Sequence, residues 1–312
     1  MVPIHPELVS TKAASTDDTL AVVSFGVSLP EASATIPIRQ LGPAPVAEVW
    51  RSPLPVTRGH CGGISFRSNS EVLVGTISGE GPETDVTTRH LYRQIVEAAR
   101  RAGYPHLLRV WNHVGGINED ERALERYKRF SAGRHDALTH LGYAREQFPA
   151  ACAVGMKSPG LIVYFIASRA AGEQVENPRQ VAAYDYPPAY GPKSPSFSRA
   201  TIVRWDGEPM IFLSGTSSVV GHKTCHAGDV EGQLDETLRN IERIVCESAA
   251  RAGCRATLDN LGFVKTYIRR ASDYDVVAAR VTAALPRAQH LFLESDICRP
   301  DLLIEIEGVA RP

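Results

Sequence analysis

The sequence has 312 residues, and its 34 Lys and Arg against 35 Asp and Glu give a formal net charge of −1. This near-neutral charge, without a long basic run, argues against a nucleic-acid or anionic-membrane partner. The longest apolar run, residues 161–167, is too short to span a bilayer. The first residues show no secretory signal, and the six cysteines show no CxxC spacing, so we expect a cytoplasmic protein with free thiols.

The first predicted unit runs from residue 71 to residue 114. A β-branched-rich strand reaches Gly75-Thr76, and a polar loop then leads into an amphipathic helix. Gly103 fits a left-handed cap at the end of that helix, and residues 107–114 return as a strand. The apolar positions that recur at helical spacing are Leu91, Ile95, Ala98 and Ala102.

A long loop follows, and its composition is unusual for a linker. Residues 176–200, "ENPRQVAAYDYPPAYGPKSPSFSRA", are rich in Pro, Tyr and Gly. Aromatic and cationic residues at this density are typical of a loop that lines a ligand.

The second predicted unit, residues 209–268, repeats the plan of the first. Its strand ends at Gly215-Thr216, its helix ends at Gly253, and residues 263–270 return as a strand. The apolar positions of its helix are Leu234, Leu238, Ile241, Val245 and Ala249. The repeated order of strand, helix and strand indicates an internal duplication. We therefore predict an α+β protein of two tandem domains, residues 1–155 and 156–312.

A cluster of possible metal ligands precedes the second helix. His222, Cys225, His226 and Asp229 are of suitable types, but their spacing fits no zinc pattern, and Asp229 is well placed beside a helix N-terminus. The sequence also lacks nucleotide-binding glycine motifs. We therefore predict neither a metal nor a cofactor.

The last predicted strand, "LLIEIEGVA" (302–310), places two carboxylates on one face. Side chains alternate along a strand, so Glu305 and Glu307 lie on the face opposite Ile304 and Ile306. Either that face is solvated, or one carboxylate acts as an acid in a pocket.

The second half resembles the imine deaminase superfamily of RidA/YjgF-like proteins. The similarity is strong over residues 185–312 and weak over residues 60–150, and it lies in "YGPKSPSF", "FLSGTSSVVG", "GDVEGQLDETLRNIERIV" and "LLIEIEGVA". It implies that each domain is a β-sheet backed by two helices, as in trimeric-type chorismate mutases, with ligand sites where units meet.

The whole chain resembles a narrower family, the chorismatases, which carry two such domains. The matching segments are "RVWNHVGGIN" (109–118), "ERYKRFSAGRHDAL" (125–138), "YGPKSPSFSRA" (190–200), "SGTSSVVGH" (214–222) and "DICRPDLLIEIE" (296–307). Chorismatases release pyruvate from the enol ether of chorismate. Depending on the branch of the family, the second product is 3-hydroxybenzoate, a mixture of 3-hydroxybenzoate and 4-hydroxybenzoate, or a dihydroxycyclohexadienoate.

This resemblance implies roles for particular residues. Glu305 is the expected general acid, because burial favours the protonated form that the enol ether needs, and Glu307 is expected to be structural. Cys298 either fills space or steers the cation that follows protonation. The expected substrate-binding residues are Tyr190, Lys193, Arg134, Arg199, Ser214, Gly215, Thr216 and Ser217.

We therefore predict a monomeric chorismatase that forms 3-hydroxybenzoate, as the cysteine at 298 implies. Ser217 stands where a small Ala or Gly is expected, which leaves the hydrolytic branch open. An imine deaminase is a further alternative, but His290 stands where that activity needs an arginine. A small-ligand binder without catalysis is the last alternative.

Overall fold

Three large β-sheets, two small β-ribbons and four α-helices make up residues 1–11 and 16–312, which the computed structural model describes. The strands are β1 (His5–Ser10), β2 (Thr19–Phe25), β3 (Ala34–Ile36), β4 (Arg39–Leu41), β5 (Val46–Arg51), β6 (Thr57–Cys61), β7 (Ile64–Ser68), β8 (Val72–Gly79), β9 (His106–Gly115), β10 (Asp120–Glu121), β11 (Leu124–Glu125), β12 (Ala150–Met156), β13 (Leu161–Ser168), β14 (Glu173–Val175), β15 (Ala200–Trp205), β16 (Glu208–Thr216), β17 (Val219–Val220), β18 (Lys223–Thr224), β19 (Leu261–Ile268), β20 (Gln289–Glu294) and β21 (Ile304–Ala310). The helices are α1 (Thr84–Arg101), α2 (Arg126–His140), α3 (Val230–Arg251) and α4 (Tyr274–Ala284).

The six-stranded sheet, in the order β12-β9-β13-β8-β7-β6, forms the first unit with α1 and α2. Helix α1 buries Leu91 and Ile95 against the sheet, as its sequence predicts. Gly133 lets α2 approach α1 closely, because a side chain there would meet the backbone of Asp85. Gly103 follows α1 with a φ of 87°, which confirms the predicted left-handed cap.

The seven-stranded sheet, in the order β14-β15-β16-β21-β19-β20-β4, forms the second unit with α3 and α4. The Asp229 side chain caps α3 by accepting a hydrogen bond from the Gly232 amide at 3.0 Å. Leu234 and Ile241 of α3 pack on this sheet, and Gly253 follows the helix with a φ of 77°. The predicted α+β class is confirmed, and each of these two sheets is packed by helices.

The third sheet has four strands, in the order β1-β5-β2-β3, and the sequence did not predict it. It shares one apolar core with the other two sheets. Trp50 of this sheet lies with its ring centroid 5.6 Å from that of Trp111 and 6.3 Å from that of Phe212. Each of these three aromatic residues comes from a different sheet, so the three sheets enclose a common centre.

The pairing of β13 bears on where the two units divide. This strand hydrogen-bonds with β8 and β9, so the first sheet extends to Ser168. The predicted boundary at residue 155 would separate β13 from its sheet. The division into two domains stays a prediction, and we would now place the boundary after Ser168.

Candidate active site

A buried chamber lies where α2, the loop before β15, the end of β16 and the segment before β21 meet. Its cavity volume, taken as the space that the centre of a water-sized sphere can occupy, is about 50 Å³. The lining residues are Tyr127, Phe130, Ser131, Arg134, Ala151, Cys152, Ala153, Gln180, Tyr186, Pro195, Ser196, Phe197, Arg199, Gly215, Ser217, Val219, Cys298, Arg299, Leu302 and Glu305. The chamber thus draws on both units, as the fold resemblance implies for a ligand site.

Glu305 lies on β21 with its carboxyl group facing the chamber. Its side chain is buried, and its Oε1 atom has no hydrogen-bond partner among the described residues. The Ser217 hydroxyl lies 3.5 Å from Oε2. Burial raises the pKa of Glu305 to about 7, against the opposing charges of Arg109 and Arg199. A large fraction of Glu305 is therefore protonated near neutral pH, as a general acid requires.

Glu307 lies on the same strand face but in a different environment. Its carboxylate accepts hydrogen bonds from Trp111 and Tyr267, each at 2.7 Å. It also pairs with Arg109 and lies 3.0 Å from the Lys265 ammonium group. Both glutamates are buried, which rules out a solvated face for this strand.

The Glu307 ion pairs belong to a buried cluster of four charges at the common centre of the sheets. Lys265 also lies 2.8 Å from Glu48 of β5, and Glu48 accepts a hydrogen bond from Trp50 at 2.7 Å. The cluster consists of two cations, Arg109 and Lys265, and two anions, Glu48 and Glu307. Their charges cancel, so the cluster has no net charge. Because its carboxylate is fully paired, Glu307 is suited to a structural role.

Two of the predicted cations line the chamber. Arg134 of α2 is buried, and its Nε and one terminal nitrogen have no hydrogen-bond partner among the described residues. Its guanidinium carbon lies 5.3 Å from the centre of the Tyr92 ring. A buried guanidinium with free donors is well suited to bind an anion.

Arg199 also lines the chamber and lies just before β15. One of its terminal nitrogens donates to the Tyr186 hydroxyl at 2.7 Å and to the Val181 carbonyl at 3.1 Å. These contacts fix the guanidinium group at the chamber wall.

The structure does not bring Lys193 or Tyr190 into the chamber. Lys193 is exposed at the surface, because the loop turns outward at that point. The Tyr190 hydroxyl lies 3.1 Å from Nδ1 of His222, in a neighbouring cavity. The predicted binding role of these two residues therefore has no support from the geometry.

The segment from Ser214 to Ser217 divides into two roles. Gly215 and Ser217 line the chamber beside Glu305. The Ser214 hydroxyl instead donates to the Ser198 carbonyl, and the Thr216 hydroxyl donates to the Ser214 carbonyl. The latter two side chains hold the strand end in shape and do not reach the chamber.

Cys298 lines the chamber close to Glu305. Burial, followed by the charge of Glu305, raises the pKa of its thiol to about 12. The thiol therefore stays neutral and is not a nucleophile near neutral pH. Cys152 of β12 also lines the chamber, and burial raises the pKa of its thiol.

The sequence prediction missed Arg299 and Tyr186, which line both the chamber and the neighbouring outer cavity. The guanidinium carbon of Arg299 lies 4.2 Å from the centre of the Tyr190 ring and 5.2 Å from that of Tyr186. Arg299 directly follows Cys298, and Tyr186 lies in the loop that the composition had indicated. Both residues thus lie in segments that the sequence analysis had singled out, but the sequence could not indicate which side chains of those segments line the chamber.

None of the helices in the part of the chain that the structure describes is long and apolar enough to cross a membrane. A protonatable carboxyl group and guanidinium groups line the same largely apolar chamber, which suits a small anionic ligand.

Similarity in sequence and structure to known proteins identifies the family. The sequence model "Chorismatase FkbO/Hyg5-like, N-terminal" matches residues 48–167. A Streptomyces hygroscopicus protein named 3-hydroxybenzoate synthase is 38% identical over 277 residues, which cover 85% of this chain and 81% of the relative. A chorismatase of the same species is 37% identical, with 84% and 78% covered. A solved chorismatase structure matches with a TM-score of 0.89 and 32% identity, covering 98% of each chain. The chain therefore belongs to the chorismatase family.

Proposed function

We propose that this protein cleaves chorismate to pyruvate and 3-hydroxybenzoate, with Glu305 as the general acid. The observation that carries the proposal is the buried carboxyl group of Glu305, which has a raised pKa and lines the same chamber as Arg134 and Arg199. The similarity to the Streptomyces 3-hydroxybenzoate synthase supports the choice of product.

The substrate is a dianion, and its two carboxylates match the guanidinium groups on the chamber walls. Arg134 offers free donors, and Arg199 and Arg299 line the same chamber. Charge-assisted contacts of this kind orient a planar carboxylate. In this arrangement the enol ether lies toward Glu305.

Glu305 delivers its proton to the terminal methylene carbon of the enol ether. The electron pair of that double bond forms the new C–H bond, and the ether carbon becomes an oxocarbenium ion. The Glu305 carboxylate left behind stabilises this cation. Capture by the neighbouring ring hydroxyl, which loses its proton, forms a cyclic ketal. The bond from that hydroxyl oxygen to the ring and the bond from the ketal carbon to the ether oxygen then break, and the hydroxyl oxygen becomes the carbonyl oxygen of pyruvate. The ether oxygen stays on the ring and takes up a proton, and the ring proton lost on aromatisation returns to Glu305, so the atoms balance without water.

The hydrolytic reaction is the second candidate, and one observation favours it. The Ser217 hydroxyl lies 3.5 Å from Glu305 and can hold a water molecule beside the cation. Water would then be consumed, and the ring would keep both oxygens as a dihydroxycyclohexadienoate. An imine deaminase is less favoured, because His290 lies on β20, bonded to the Leu285 carbonyl and outside the chamber.

The test is to incubate the enzyme with chorismate in ¹⁸O-labelled water and to separate the products by chromatography with mass detection. Pyruvate should be reduced to lactate as it forms, which prevents exchange of its carbonyl oxygen. We expect 3-hydroxybenzoate and unlabelled lactate. A dihydroxycyclohexadienoate with labelled lactate would establish the hydrolytic reaction, and failure to release pyruvate would reject both.

A further inference from the structure

A second buried carboxyl group, Glu176, lies behind Arg199 and outside the chamber. It directly follows β14. Both of its oxygens are buried, and neither has a hydrogen-bond partner among the described residues. Buried carboxylates are normally paired or hydrogen-bonded, so this one needs an explanation. The proposed reaction does not use it.

Arg199 lies between Glu176 and the chamber. Its Nε atom is 4.0 Å from Glu176 Oε2 and makes no hydrogen bond. Its hydrogen bonds to Tyr186 and Val181 hold the guanidinium group in place. The same cation thus faces a carboxyl group on one side and the anion site on the other.

Four groups face Glu176 from the surrounding elements. Arg199 and Arg251 favour its ionised form, whereas Asp185 opposes it, and Tyr184 lies beside it. Burial is the largest influence and raises the pKa of Glu176 to about 7. Near neutral pH, both the protonated and the ionised forms of Glu176 are therefore populated in the empty enzyme.

We propose that Glu176 takes up a proton when a dianionic substrate binds beside Arg199. This inference rests on the proposed function. An ionised Glu176 and a bound carboxylate would share one cation and repel each other across it. Protonation of Glu176 removes the repulsion and leaves the whole charge of Arg199 to the substrate. Glu176 is thus a positioning residue that acts through Arg199.

The linkage has a definite sign. A bound dianion raises the proton affinity of Glu176, so affinity is highest where Glu176 is already protonated and falls as the pH rises past neutrality. Chorismate itself remains a dianion over this range, because carboxylic acids of this kind titrate near pH 4. The substrate therefore contributes no proton of its own.

The experiment uses the Glu305→Gln variant, in which turnover should be at least ~100-fold slower and residue 305 no longer titrates. Chorismate is titrated into it by calorimetry near neutral pH in phosphate and in Tris, whose ionisation enthalpies differ. The dependence of the heat on the buffer gives the number of protons taken up. We expect a substantial fraction of one proton, and a several-fold rise in Kd between about pH 6.5 and about pH 8.5.

The comparison variant is Glu305→Gln/Glu176→Gln, in which the proton uptake and the pH dependence of Kd should both be nearly absent. The matched control is Glu305→Gln/Glu173→Gln, since Glu173 lies three residues earlier, is exposed and pairs with Arg204. That control should retain the uptake.

Two outcomes overturn the inference in distinguishable ways. Equal proton uptake with and without Glu176 would overturn it and leave the proposed function intact. Failure of chorismate to bind the folded Glu305→Gln protein at any pH would overturn the proposed function, and this inference with it.

Discussion

Gly215 lies directly against the carboxyl group of Glu305, at the point where the register between β16 and β21 shifts. A methyl group on residue 215 would overlap Glu305 Oε1 and lie 3.0 Å from the Cβ atom of Cys152. Glycine is required here for the space it leaves, because its φ is not in the left-handed region.

Gly215→Ala should therefore displace the general acid while keeping the fold. We expect pyruvate release to fall by about 100-fold, the scale of a lost general acid. Gly262→Ala is the matched control on β19, where no atom lies within 4 Å of the added methyl group. Full activity in Gly215→Ala would show that Glu305 does not need its observed position.

Glu305→Gln keeps the shape of the side chain and removes its proton donor. Release of pyruvate from chorismate should fall by at least ~100-fold. Glu307→Gln should act on stability instead, because it leaves Arg109 and Lys265 short of one buried negative charge. Breaking such a pair costs about 3–5 kcal/mol in the free energy of unfolding. Equal losses of activity per folded molecule in both variants would contradict the assignment.

The same Glu305→Gln variant should be more stable than the wild type at alkaline pH. Burial raises the pKa of Glu305 from 4.5 to about 7, so the ionised form is costly in the folded state. The difference in the free energy of unfolding should be absent below about pH 4.5, grow by roughly 1.4 kcal/mol per pH unit up to about pH 7, and stay at about 3.5 kcal/mol above it. Urea unfolding at several pH values measures this, and a difference that is independent of pH would contradict the raised pKa.

Arg134 and Lys193 provide a test of substrate binding. Arg134→Gln removes free donors inside the chamber, so the KM for chorismate should rise by about 10–100-fold, as expected for a charge-assisted contact of roughly 1.5–3 kcal/mol. Lys193→Gln changes an exposed residue outside the chamber and should leave KM within about twofold. Steady-state kinetics give the KM of each variant. A larger rise in KM for Lys193→Gln than for Arg134→Gln would support Lys193 as a binding residue.

Cys298→Ala tests the choice of product. The neutral thiol occupies chamber space near Glu305, and its removal leaves room for water beside the cation. We expect the products to shift from 3-hydroxybenzoate toward the dihydroxycyclohexadienoate, as measured by chromatography with mass detection. An unchanged product ratio would mean that the thiol does not control the capture of the cation.

Periodicity and glycine signals predicted both main helices and the strands that follow them, because these patterns depend on local backbone geometry. The sequence also indicated that Glu305 lies in a pocket, since its strand matches a known motif, and the structure places its carboxyl group at the chamber. Its distinction from Glu307 could not be derived from alternation alone, because both residues lie on one face. The difference arises from partners on other strands, namely Trp111, Tyr267 and Lys265.

The four-stranded sheet escaped prediction for a similar reason. One buried charge within it, Glu48, pairs with Lys265, which lies more than two hundred residues away along the chain. The exposure of Lys193 could not be predicted, because a motif fixes the position of a residue along the chain and not the direction in which its side chain points.

The shared centre of the three sheets has a consequence for how such a protein can evolve. In an assembly of identical chains, every substitution is repeated at each copy of an interface, so all copies must tolerate it. Here one polypeptide supplies three different sheets to one centre. Each sheet can therefore change independently. One contact region between sheets can acquire catalytic residues, while the other contact regions need only to stay well packed.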